Sequence, residues 1–142
     1  MVARPGIGRI LETALYVADL QLSRGFYQDL MGFACFMQDE RMCALGVPGG
    51  GVLLLFRLHG SAQASDTPDG RIPQHDGMGV QHLAFAIRGE ALEDWQAFLQ
   101  AKGIAVESRI TWPRGGTSLY FRDPDGHSIE VATPGLWPND AP

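Results

Sequence analysis

The chain has 142 residues, 45% of them apolar and 19% charged, and a net charge of −5. Such a length and composition suit one compact domain or two fused half-domains with enough apolar material for a core. The acidic balance excludes a general attraction to nucleic acid or anionic lipid, and no apolar run reaches the about 18 residues that a membrane-spanning helix needs.

Residues 10–17 (ILETALYV) are expected to form a strand, and Asp19 then offers a helix N-cap. Leu22, Phe26, Tyr27 and Leu30 follow at roughly helical spacing, and Gly32 suits the C-terminal cap. Residues 33–38, 42–47 and 52–57 have the composition of three strands, with turns at Asp39-Glu40-Arg41 and Pro48-Gly49-Gly50-Gly51. A long polar loop runs from Leu58 to Met78; a loop of this length is usually functional or a linker. The pattern then restarts. A strand is expected over 80–87 and a helix over 90–102, with Leu92, Trp95, Phe98 and Leu99 on one face and Gly103 as its cap. Three more strands fit 104–109, 117–122 and 127–132, the last two joined by the turn Asp123-Pro124-Asp125-Gly126. In the Pro-rich tail, 134–142, Leu136 and Trp137 are expected to fold back onto the body.

This order describes two βαβββ units in tandem, about 8–57 and 79–133. ETALYV (12–17) aligns with HLAFAI (82–87), and VLLLF (52–56) with SIEVA (128–132). The fold class expected is α+β, with the two units forming a cleft-like half-barrel sheet and the helices outside.

Side chains alternate along a strand. Leu11, Leu15 and Val17, and likewise Leu83, Phe85 and Ile87, suit the face packed on the helix. Glu12 and His82 then lie on the opposite, helix-free face of their strands, as do Leu54 and Glu130 on the last strand of each unit. Ser118, Tyr120 and Arg122 point the same way. With the units side by side about a pseudo-twofold axis, Glu12 faces His82 and Leu54 faces Glu130. Three of these four positions carry metal-ligand chemistry. Two carboxylates held close in a cleft repel, and a divalent cation with a neutral imidazole removes that cost. The bland alternative is a pair of carboxylates satisfied by Arg or water.

LYVADLQLSRGFYQDLMGF (15–33), HLAFAI (82–87) and YFRDPDGHSIEV (120–131) together resemble the glyoxalase / bleomycin-resistance / extradiol-dioxygenase superfamily, also called vicinal oxygen chelate. The resemblance covers about residues 8–134. It implies one divalent metal ion (Fe, Mn, Ni, Co or Zn) on Glu12, His82 and Glu130, and a small-molecule substrate that chelates the ion through neighbouring oxygens. Two positions depart from the pattern. Glu12 stands where the family often has His, which makes a harder site than the two-His, one-carboxylate set of ring-cleaving dioxygenases. Leu54 stands where lactoylglutathione lyases have a fourth ligand.

The catalytic candidates are Glu12 and Glu130, either of which can act as a general base. The substrate-binding candidates are Tyr120, Arg122, Arg114, Phe56, Leu54 and Tyr16. Arg114 (in WPRGG) has the bidentate fork that suits a carboxylate. His59, His75 and His127 are expected to be solvated, with His75 able to approach the site if the loop folds over it. Two functions remain open: a metal-dependent isomerase, lyase or oxygenase, and a metal-free binding protein that sequesters a small ligand. The N-terminal sequence lacks a long apolar region ahead of a small-residue cleavage site, and Cys35 and Cys43 make no disulfide framework. A cytoplasmic homodimer with reduced thiols is the expectation.

Overall fold

The computed structural model describes residues 1–140, in two compact units, one spanning Met1–Met78 and one beginning at Gly79. The first contains β1 (Glu12–Val17), α1 (Leu20–Asp29), β2 (Ala34–Gln38), β3 (Met42–Gly46), β4 (Val52–Arg57) and a small hairpin of β5 (Ser65–Thr67) and β6 (Gly70–Ile72). The second contains β7 (His82–Ala86), α2 (Leu92–Ala101), β8 (Ser108–Thr111), β9 (Thr117–Arg122) and β10 (Ser128–Ala132). The two four-stranded sheets have the same order, β1-β4-β3-β2 and β7-β10-β9-β8. In each, the first strand pairs in parallel with the last, and the remaining pairs are antiparallel.

The repeat is visible in the register. Glu12 lies opposite Val52 and Ala14 opposite Leu54, while His82 lies opposite Ser128 and Ala84 opposite Glu130. Glu12 therefore stands to Leu54 as His82 stands to Glu130.

Local chemistry explains the boundaries. The Asp19 carboxylate accepts from the Leu22 amide at 3.0 Å and starts α1. Both helices end on a glycine at positive φ, Gly32 at 74° and Gly103 at 72°, a conformation that costs glycine nothing. The Asp39 carboxylate accepts from the Arg41 and Met42 amides and turns β2 into β3.

The helix-facing side of each sheet forms the core. Leu15, Val17, Leu45, Leu53 and Leu55 are buried with Tyr27 of α1; Leu119, Phe121, Ile129 and Val131 are buried, as is Leu99 of α2. Each such side chain contributes about 1.5–3 kcal/mol by leaving water.

The structure departs from the sequence reading at five places. Leu11, expected on the helix-facing side, is 62% exposed, because β1 begins only at Glu12 and the chain before it lies in the open. The strand expected at 104–109 forms at Ser108–Thr111, because the Ile104 amide is used to close α2 on the Leu99 carbonyl and the following residues cross to the sheet. The helix expected from residue 90 starts with a 3-10 turn, Gly89–Ala91. The loop from 58 to 78 contains the β5–β6 hairpin. In the tail Leu136 is half-buried but Trp137 is 68% exposed. No helix among the described residues is long and apolar enough to cross a membrane.

Candidate metal centre

His82 opens β7 and Glu130 sits at the middle of β10, on the strand face away from the buried Ile129 and Val131. Their side chains meet, with His82 Nε2 3.3 Å from Glu130 Oε1. His82 Nδ1 lies 2.8 Å from the Ser128 carbonyl oxygen, which can only accept, so Nδ1 carries a proton. A neutral His82 then turns the lone pair of Nε2 toward a carboxylate oxygen. Two bare acceptors at that separation repel. A proton held between them or a metal cation removes the repulsion.

The distance fits a shared ion. Two ligand atoms about 2.0–2.2 Å from one metal stand about 2.8–3.6 Å apart at angles near 90–110°. The tautomer fits too, because a metal-bound imidazole commonly donates its other N–H to a backbone carbonyl.

Glu130 is nearly buried, at 4% exposure, and its second oxygen is occupied. Ser118 donates its hydroxyl to Glu130 Oε2, and Trp112 Nε1–H donates to Ser118 Oγ at 2.8 Å. The relay fixes one carboxylate oxygen and leaves the other directed at His82. Ser118 and Trp112 escaped the sequence reading as site residues. The usable signal was parity: Ser118 shares a strand face with Tyr120, and its register partner Ala132 neighbours Glu130 on that face. Tyr120, directly opposite Glu130, stacks on the His82 ring with centroids 6.2 Å apart. Burial first, then the charge of Glu130 and a hydrogen bond to it, raise the Tyr120 phenol above its ordinary value; a hydrogen bond with Ser118 works the other way.

The other candidates are dispersed. Glu12 belongs to the first unit, exposed at the start of β1. Arg122 spans Glu107 with two hydrogen bonds of 2.7 and 3.0 Å and also donates to the Gly126 carbonyl, so its guanidinium is taken up in a side-chain fork. Arg114 is exposed, and its charge helps to lower the Asp140 carboxyl, after that group's hydrogen bonds to the Trp137, Gly135 and Leu136 amides. Tyr16 and Phe56 pair across β1 and β4 but do not line an open wall. His75 covers them: its Nδ1 is 2.8 Å from the Tyr16 hydroxyl and its ring meets Phe56 edge-on at 4.4 Å. Leu54 is half-buried on β4.

Two of the three histidines expected in solvent are not there. His75, within the loop, is half-buried against Tyr16 and Phe56, and His127 is 1% exposed, with Nδ1 accepting from the Gln81 amide. Of these three, His59 alone is exposed, paired with Asp76 at 2.7 Å.

A second cluster, Asp123, Asp125 and His127, brings three potential ligand atoms within 4.8 Å of one another. It coincides with the β9–β10 turn. Asp123 Oδ1 accepts from the Asp125 and His127 amides at 3.0 and 2.9 Å, and His127 Nδ1 is engaged by Gln81. These contacts account for the cluster as turn structure.

The family model described as Glyoxalase/Bleomycin resistance protein/Dioxygenase superfamily matches residues 9–131. The chain belongs to this superfamily. Metallothiol transferase FosB of Staphylococcus saprophyticus is 29% identical over 118 residues, covering 82% of this chain and 71% of its own. Biphenyl-2,3-diol 1,2-dioxygenase 3 of Rhodococcus globerulus is 26% identical over 128 residues, covering 87% of this chain and 62% of its own. Among solved structures, lactoylglutathione lyase from Agrobacterium tumefaciens superposes with a TM-score of 0.86 at 32% identity, covering 94% of this chain and 99% of its own. The paired βαβββ units are thus the fold of the superfamily.

Proposed function

We propose that this chain is a divalent-metal-dependent enzyme whose substrate is a small molecule with adjacent oxygens, and that His82, Glu130 and Glu12 are its metal ligands. The observation that carries the reading is the contact between His82 Nε2 and Glu130 Oε1, with Nδ1 already donating to Ser128. Fe, Mn, Ni, Co and Zn all suit a donor set of one imidazole and two carboxylates. When bound, the ion supplies Lewis acidity toward an oxygen of the substrate.

The residues divide the remaining work by their surroundings. Ser118 and Trp112 hold Glu130 in place, which suits a fixed ligand. Glu12 is exposed, so of the two carboxylate ligands it is the one better suited to detach and act as a general base toward the substrate. Tyr120, kept protonated by its surroundings, offers a hydroxyl donor beside Glu130. In this reading Tyr16, Leu54, Phe56, Arg114 and Arg122 contribute shape and charge around the substrate; Tyr16 and Phe56 do so only where His75 moves aside.

The names of the relatives support transferase, lyase or oxygenase chemistry on this scaffold. The homodimer belongs to the same proposal, supported by the exposed Ile10 and Leu11 before the edge strand β1 and by Met78 and Val80 before the edge strand β7. Sedimentation of the purified chain checks it. Cytoplasmic location is likewise part of the reading.

A specific alternative uses the same contact: a protonated His82 paired with Glu130, in a metal-free protein that binds a small ligand. Metal analysis after purification without a nickel column separates the two. Stoichiometric metal that a Glu130→Ala variant loses supports the enzyme reading. Absence of metal, unchanged after Fe, Mn, Co, Ni and Zn are added back, favours the ion pair.

A further inference from the structure

The first unit holds a second reactive group that the proposed metal chemistry does not use. Cys35 on β2 and Cys43 on β3 place their sulfurs 3.6 Å apart. Cys43 shares a strand face with Leu45, the register partner of Cys35, so the cysteines are diagonal neighbours on one face. Cys43 is fully buried and Cys35 half-exposed. The ladder shifts register between Cys35 and Met37, so β2, an edge strand, carries an irregularity beside Cys35.

We propose that Cys35 and Cys43 form a dithiol site that reacts with low-molecular-weight disulfides and closes to an internal disulfide between β2 and β3. Cys35 reacts first because it is the partly exposed residue of the pair, while Cys43 is buried. Its thiolate attacks the disulfide R–S–S–R, forms a mixed disulfide and releases one R–S⁻. Cys43 then gives up its proton and attacks the Cys35 sulfur, displacing the second R–S⁻. Two protein thiols are oxidised to one disulfide, and R–S–S–R is reduced to two R–SH once the released thiolates take up the protons.

The geometry favours the second step. A disulfide has sulfurs about 2.05 Å apart, so the gap must close by roughly 1.5 Å, which side-chain rotation and the irregular edge strand can supply. Burial, followed by a hydrogen bond and charge from Cys35, pushes the Cys43 thiol up to about 12, and nearby Arg24 opposes this. Once Cys35 is a mixed disulfide it bears no thiolate charge, and that part of the upward push is gone. Burial, the larger cause, remains, so the order of the two steps follows from access: Cys43 is buried and meets only the Cys35 sulfur beside it.

The test uses the full chain and excess oxidised glutathione, with intact mass, thiol titration and peptide mapping as readouts. The wild type is expected to lose both thiols, end two hydrogens lighter without a glutathione adduct, and yield a Cys35–Cys43 linked peptide. Dithiothreitol should restore both thiols. Cys43→Ala should stop at the adduct on Cys35, and Cys35→Ser should leave Cys43 unmodified. If Cys43→Ala does not fold, the wild-type time course carries the same information, because the adduct must rise and then fall. A stable adduct on Cys35 beside a free Cys43, a disulfide between two chains, or two unreacted thiols would each overturn the proposal and leave the sulfurs as packing groups.

Discussion

His82 Nε2 stands 3.3 Å from Glu130 Oε1, and the imidazole is held in that pose by the Ser128 carbonyl on the same strand as Glu130. Strand β10 therefore supplies both the partner carboxylate and the group that selects the tautomer of His82. A single-residue slip between β7 and β10 would reverse which side chains share a face and separate the two.

The Ser118 hydroxyl is expected to act on metal affinity through Glu130. Ser118→Ala removes the donor to Oε2 and should weaken metal binding about 10–100-fold, the usual effect of losing a group that orients a ligand. Trp112→Phe removes the donor to Ser118 and should weaken it less. Competition with a chromophoric chelator measures both. Unchanged affinity in Ser118→Ala would detach the relay from the site.

Tyr120 gives a pH prediction. Its phenol is raised above the ordinary value of 10.0 by burial and by Glu130. In the unfolded chain it ionises near that ordinary value, so the folded state binds the proton more tightly. The Tyr120 contribution to stability is present below pH 10 and is lost as pH rises through the higher folded value. Ultraviolet titration should find the late phenolate transition missing in Tyr120→Phe, and a Tyr120 that ionises below pH 10 would contradict the environment described.

The loop over β1 and β4 is held by the Tyr16–His75 hydrogen bond and by the His75 amide on the Ser61 carbonyl. Tyr16→Phe should lower the local opening cost by about 1 kcal/mol, so that amide exchange at His75 speeds up about fivefold with the rest of the unit unchanged. Gly77→Ala is expected to do more. Its Cβ would stand 2.6 Å from the Tyr16 ring, so ring or loop must shift, at about 1–3 kcal/mol in thermal unfolding. An alanine variant as stable as wild type would show that this segment packs otherwise.

Alternation and turn chemistry made most of the fold legible. Val52–Arg57 and Thr117–Arg122 have the bounds the sequence implied, because continuous apolar or alternating runs end there at Gly or Asp turns. The strand at 104–109 was misplaced because Ile104-Ala105-Val106 has strand composition, yet its first amide is spent capping α2. The β5–β6 hairpin was illegible because Ser-Asp-Thr and Gly-Arg-Ile carry no apolar alternation; it is held by its ladder and the Arg71–Asp66 ion pair. Within the candidate site, parity found His82, Glu130 and Tyr120. It placed Arg122 on the same face, but alternation says nothing of the neighbouring Glu107 that captures its guanidinium. The sequence raised His75 only as a residue that a folded loop could bring near; its partners Tyr16 and Phe56 were not legible, since a contact across 59 residues leaves no local pattern.

The most direct test of the metal centre is metal content of the wild type beside His82→Ala, Glu130→Gln, Glu12→Gln and a double variant of the turn, Asp123→Asn with Asp125→Asn, each reconstituted with Mn, Fe, Co, Ni or Zn after a chelator wash. One ion per chain is expected in the wild type, loss of it in the first three variants, and its retention in any turn variant that folds. Full occupancy in His82→Ala together with loss in a folded turn variant would contradict the assignment and move the centre to Asp123, Asp125 and His127.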